Sequence, residues 1–90
     1  MTTEKVDRRK KTLNRIHRIQ GQLAALEKDI AADRTCEHLV TQALAIEKGM
    51  GSLVQHMISG YLQHQAKDLM EENPDEAIKE IQRLFELSKR

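Results

Sequence analysis

Residues 13–30 read LNRIHRIQGQLAALEKDI. Apolar side chains fall at Leu13, Ile16, Ile19, Leu23, Leu26 and Ile30, in alternating steps of three and four. Such steps follow one side of an α-helix, because about 3.6 residues complete a turn. Arg15, Arg18, Gln22 and Glu27 lie off this seam, as the solvent side of an amphipathic helix requires. A helix is therefore expected over about residues 4–32. Asp33-Arg34-Thr35 breaks the pattern, and Thr35 or Asp33 offers a cap for the next helix.

Beyond that break two apolar lines run side by side. Leu39, Ala43, Ile46, Met50, Leu53, Met57 and Tyr61 form one, and Val40, Leu44, Val54, Ile58, Leu62 and Leu69 the other. A second long helix is expected over about residues 36–70. Gly49, Gly51 and Gly60 each weaken an isolated helix by about 1 kcal/mol relative to Ala. Their presence within an unbroken pattern points to close helix–helix approach. At "ENPDEA" Asn73 can cap, Pro74 suits the first helical position, and Glu76 stands where a capping box wants it. A short third helix follows over about residues 74–88. The fold class is all-α, two long helices and one short, in a single domain spanning 1–90.

Composition agrees. One Phe, one Tyr and no Trp accompany a chain in which 32% of residues are charged, a profile of long amphipathic helices rather than strands. No run of 18 apolar residues and no signal peptide is visible. A single cysteine excludes an internal disulfide and fits a reducing compartment. The expectation is a cytoplasmic protein with no membrane partner. The paired lines on the second helix are too wide for one neighbouring helix to cover, so helix pairing between chains is expected, as an antiparallel dimer or a larger closed assembly.

Charge is unevenly distributed. Residues 1–18 carry seven Lys and Arg against Glu4 and Asp7, a surplus of five; the remaining residues carry eight basic and twelve acidic groups, a deficit of four. Arg8, Lys11, Arg15 and Arg18 are spaced three, four and three, which sets them along one ridge, with Arg9 and Lys10 beside it. Repeated by symmetry, such a ridge suits duplex phosphates. The alternatives are a solvated helix end, or a helical protein-interaction module whose basic end meets an acidic protein. Single-stranded RNA modes need aromatic platforms that are missing here. No nucleophile–base pair, paired carboxylates or phosphate loop supports an enzyme.

The signature from Asn14 to Leu23, with Cys36 at the head of the second helix and Gln42 six residues on, resembles the CsoR/RcnR/FrmR family of small helical bacterial repressors. The resemblance covers essentially the whole chain. It implies a disc-shaped homotetramer, a dimer of antiparallel dimers, that binds double-stranded operator DNA and releases it when an effector binds. Arg15 matches the family's basic residue for DNA contact, and Arg18 shares its ridge. Around positions 47–52 the family often carries a cation, whereas this chain has Glu47 followed by Lys48.

Cys36 matches the family's sensor residue. The resemblance places its metal-ligand partners on the neighbouring subunit's second helix, at positions occupied here by Tyr61 and Gln65. Neither suits Cu(I) or Ni(II), which prefer thiolate or imidazole. His38, His56 and His64 each face away from the matching positions, and a site joining Cys36 to His64 would need rearrangement. The persulfide chemistry of sulfide sensors needs a second cysteine, which this chain lacks. Formaldehyde sensing asks for a thiol and a nearby amine; Cys36 near a helix N-terminus and the amine of Thr2, once Met1 is removed, could supply them. The expected effector is therefore formaldehyde or another electrophile at Cys36. The alternatives are a metal-responsive repressor with an atypical site, or a Cys36 that is only a small hydrophobe. No resident cofactor is expected beyond a possible transition metal with an incomplete ligand set.

Overall fold

A computed structural model describes residues 2–89, with side chains described from Lys5 onward. Every regular element among them is helical: α1 (Thr2–Ala31), α2 (Cys36–Tyr61), a π-helical turn (Leu62–Ala66), α3 (Lys67–Glu72) and α4 (Pro74–Ser88). Tyr61 and Lys67, on either side of the π turn, both keep right-handed helical dihedrals, so α2, the π turn and α3 form one continuous rod. The chain is thus three helical rods, two long and one short.

The second rod departs from expectation. An uninterrupted α-helix to about residue 70 is replaced by α-helix to Tyr61, five π-helical residues, and α-helix again to Glu72. A π turn closes its hydrogen bonds one residue further along and so absorbs an extra residue. The π turn and α3 both pack against α4, and the residues buried in this part of the chain include the small Ala66 and Ala77.

The chain divides into two compact units, residues 1–53 and 54–90. In the first, Ile19 of α1 and Ile46 and Leu53 of α2 form the buried core, flanked by Ile16 and Leu26. Half of the α1 seam is left outside it. Leu13, Leu23 and Ile30 are 46%, 50% and 56% exposed, and Val40 and Leu44 on α2 are 50% and 57% exposed. From the first apolar line of α2, Ile46 and Leu53 supply the core contacts with α1, while Val40 and Leu44 of the second line stay open. In the second unit α4 begins as the sequence predicts: Asn73 Oδ1 accepts from the Glu76 amide at 3.2 Å, with Pro74 in the first turn.

Two glycines need a different explanation from the one expected. A Cβ at Gly51 would meet nothing within 4 Å, and one at Gly49 would sit at an ordinary 3.7 Å from Ile19 and Gln22. Neither marks a forced close approach within the chain.

Between α1 and α2 the backbone makes a tight stop. The Arg34 amide donates to the Asp29 carbonyl at 3.1 Å and the Asp33 amide to the Ile30 carbonyl at 3.2 Å, while Asp33 takes a positive φ of 56°. This is the paired hydrogen bonding of a Schellman motif, with aspartate where glycine is most at ease. Left-handed backbone costs an L-residue about 1–2 kcal/mol. Asp33→Gly is therefore expected to stabilise the fold by up to about 1 kcal/mol, read as a higher urea midpoint. A lowered midpoint would show that the Asp33 side chain holds the turn in some other way.

Candidate nucleic-acid interface and effector site

The α1–α2 register set by Ile19, Ile46 and Leu53 brings cations from both helices onto one groove. Arg15, Arg18 and Gln22 line it from α1, and Lys48, Gly49 and Ser52 from α2. Arg15 is partly buried, and its Nη1 donates to Ser52 Oγ at 3.4 Å, which holds the guanidinium over the groove. No carboxylate lines it. Of the residues expected to contact a polyanion, the structure gathers Arg15 and Arg18 here. Arg9, Lys10 and Lys11 are exposed further up α1 and Arg8 is partly buried; none of the four lines the groove. Lys48 is the contributor that sequence reading passed over. It lies one turn before Ser52, and Glu47 beside it is exposed and outside the groove's lining.

Cys36 opens α2 and is exposed. Of the two proposed caps, the structure uses Thr35, whose Oγ1 accepts from the His38 amide at 3.2 Å. The residues around the thiol are tied back to α1 by Asp29. Its Oδ2 accepts from His38 Nε2 at 3.0 Å and from Gln42 Nε2 at 2.8 Å, and Arg34 Nε stands 3.9 Å from Oδ1. The His38 hydrogen bond is the largest influence holding the Asp29 carboxyl below its ordinary 3.8; Gln42 and the Arg34 charge act the same way, against partial burial. His38 is therefore engaged by a carboxylate rather than placed to share a ligand with Cys36. Asp29 was missed in the sequence, although an acidic residue in the last turn of a helix opposes the macrodipole and so signals a partner elsewhere. The amine of Thr2, the other half of the expected aldehyde site, falls outside the residues whose side chains are described.

Tyr61 and Gln65 occupy the end of α2 and the π turn. Gln65 is exposed and His64 partly buried. The Tyr61 hydroxyl donates to the Glu80 carboxylate of α4. That hydrogen bond is the main cause, with burial and the charges of Glu80 and Glu76 adding to it, of a phenol pKa raised above 10.0. A phenol held protonated by an acceptor offers a metal no anionic oxygen, and the Gln65 amide offers no soft donor. Among the described residues of the single chain no three His, Cys, Asp or Glu side chains gather. The positions where a copper ion would be bound do not fit copper.

Tyr61 is the only tyrosine, so its titration can be followed by near-ultraviolet absorbance without interference. Its midpoint is expected above 10.0, and Glu80→Gln is expected to bring it back down. A folded-state pKa raised above the unfolded value contributes stability that is fully present below pH 10 and lost as pH climbs through the folded value. A wild-type midpoint at or below 10 would mean that the Tyr61–Glu80 contact is absent in solution.

Comparison with known proteins places this arrangement. The family described as metal-sensitive transcriptional repressor matches residues 8–87. The chain is similar to the copper-sensing transcriptional repressor CsoR of Bacillus subtilis (strain 168), with 27% identity over 73 residues, covering 80% of this chain and 72% of that protein. No solved structure matches it. These are repressors and not enzymes. With a match running from the basic end of α1 through α4, the chain belongs to the family of metal-sensitive transcriptional repressors.

Proposed function

We infer that the whole chain, residues 1–90, is a repressor that lays the basic face of α1 against double-stranded operator DNA in the cytoplasm and releases it when an effector acts at Cys36. The observation that carries this reading is the convergence of Arg15, Arg18 and Lys48 from two helices on one carboxylate-free groove. Phosphates recognised there would be gripped by both helices at once, so DNA affinity depends on the α1–α2 register as well as on charge. Arg8, Arg9, Lys10 and Lys11 extend the positive surface toward the N-terminus. Family membership weighs against the protein-interaction alternative.

The relevant unit is a self-assembly, an antiparallel dimer pairing into a tetramer. The support is the apolar surface left open on both long helices, Leu13, Leu23, Ile30, Val40 and Leu44 among it. No helix among the described residues is long and apolar enough to cross a membrane, so lipid is not what covers these stripes as a spanning helix would require.

For the effector, the metal-sensitive family and the copper-sensing relative favour a metal ion over formaldehyde. Formaldehyde and other electrophiles, preferred from the sequence, have no support in those comparisons. The metal reading carries its own constraint: Tyr61 and Gln65 do not serve Cu(I), so the site is atypical, built on Cys36 with a donor such as His64 rather than on the usual set.

Arg15→Ala, Arg18→Ala and Lys48→Ala are each expected to weaken operator binding on the order of tenfold and to flatten its salt dependence, with helicity unchanged. Unaltered gel-shift affinity in all three would remove the groove from the interface. Cys36→Ala is expected to keep operator binding while abolishing release by Zn(II) or Co(II) in the same assay. Release that persists in the variant would make the thiol structural.

A further inference from the structure

Across the α1–α2 pair, Gln42 Nε2 donates to Asp29 Oδ2 at 2.8 Å. This contact is part-buried, and the Asp29 side chain is only 22% exposed. The other two partners of Asp29 are more open to water, His38 at 44% and Arg34 at 59% exposed. At the other end of the same amide, Gln42 Oε1 is buried and, among the described residues, has no donor. Within the chain, the Gln42 amide is therefore oriented by Asp29.

We propose that Asp29, acting through Gln42, is a positioning residue for the cationic groove: it fixes the α1–α2 register that aligns Lys48 and Ser52 with Arg15 and Arg18. The Ile19 cluster holds the two helices together, but apolar contact is non-directional and tolerates sliding. A hydrogen bond does not, because it weakens steeply with distance and angle. Asp29 lies ten residues beyond Ile19, about 15 Å along α1. Two anchors so far apart set the slide and the tilt of one helix on the other.

Loss of the carboxylate would leave a part-buried amide without a partner at either end. Such a group costs its full desolvation, and the cost is relieved if the start of α2 turns until the amide meets water. Lys48 is six residues from Gln42 on the same helix and moves with it. As a contributor to DNA binding, Asp29 depends on the repressor reading; as the register pin, it does not.

Gel shifts with a mixed-sequence DNA duplex, and backbone amide NMR shifts of the full chain, test the role. On charge alone, removing an acid from a phosphate-binding chain tightens binding. The register role has the opposite sign: Asp29→Ala is expected to bind about fivefold more weakly, short of the loss from removing a phosphate contact outright. Asp29→Asn keeps an acceptor for Gln42 and drops the charge, so it is expected to bind at least as tightly as the wild type. In a Gln42→Met background, Asp29→Ala is expected to cause no further weakening. The Lys48 and Ser52 amide signals are expected to move in Asp29→Ala and to stay in Asp29→Asn. Binding is measured well below each variant's unfolding temperature, so a loss of stability alone leaves it unchanged. Tighter or unchanged binding by Asp29→Ala, or weakening shared by Asp29→Asn, would overturn the role, as would Lys48 and Ser52 signals that stay in place. Lys48→Ala separates the two claims. If it weakens binding and Asp29→Ala does not, only the positioning role fails. If neither weakens binding while the amide signals still move, the groove is not the DNA contact and the register pin alone survives.

Discussion

The packing of Ile19 against Ile46 and Leu53 is the contact on which the first unit depends. It is a small core, and its value lies in register as much as in energy. With Ile19 seated, Arg15 lies one turn earlier on α1 and within reach of Ser52, while Lys48 and Ser52 fall on the neighbouring turns of α2. A slip by one turn would move the cations of α1 by about 5.4 Å relative to those of α2. The cationic groove is therefore a consequence of packing, although the charges that compose it are plain in the sequence.

The same unit ties the α1–α2 connection, where Cys36 stands, back to α1. Asp29 sits in the last turn of α1, where the macrodipole disfavours an acid, and it is retained by donors that all come from beyond the turn: His38, Gln42 and Arg34. The exposed pairs are individually weak. Together with the Schellman hydrogen bonds and the Thr35 cap, however, they give Cys36 a fixed entry into α2. Cys36 thus opens a helix whose neighbouring residues bridge to α1, the helix that carries Arg15 and Arg18.

Much of this was legible in the residues. Three- and four-residue spacing locates α1, and Asn73-Pro74 locates the start of α4, because caps and amphipathic faces are local properties. The π turn was not legible, because the apolar spacing from Leu62 to Leu69 is two ordinary α-helical turns; the turn and α3 both pack against α4, a tertiary contact no local pattern reports. The Lys48 contribution was obscured by Glu47; a one-residue difference is about 100° around a helix and decides whether a charge faces the groove. Tyr61 was read as a poor ligand from its residue type alone. What the sequence could not supply was Glu80, nineteen residues away, which turns a merely unsuitable donor into a phenol committed elsewhere.

The open apolar residues and the cationic groove constrain each other. An assembly that covers Leu13, Leu23, Ile30, Val40 and Leu44 would remove exposed apolar surface from water, at about 25 cal/mol per Å². Ile19 is on the same α1 seam as Leu13 and Leu23 but is already spent on α2, so the seam is shared between an internal and an external neighbour. Arg15 and Arg18 lie off that seam, and burying them without acceptors would cost more than the adjacent apolar contacts return. In the proposed assembly, a partner helix would approach along the leucines and leave the arginines in water. If the proposed assembly satisfies both conditions, the groove of Arg15, Arg18 and Lys48 stays accessible in each chain, which is what the proposed contact with duplex phosphates requires.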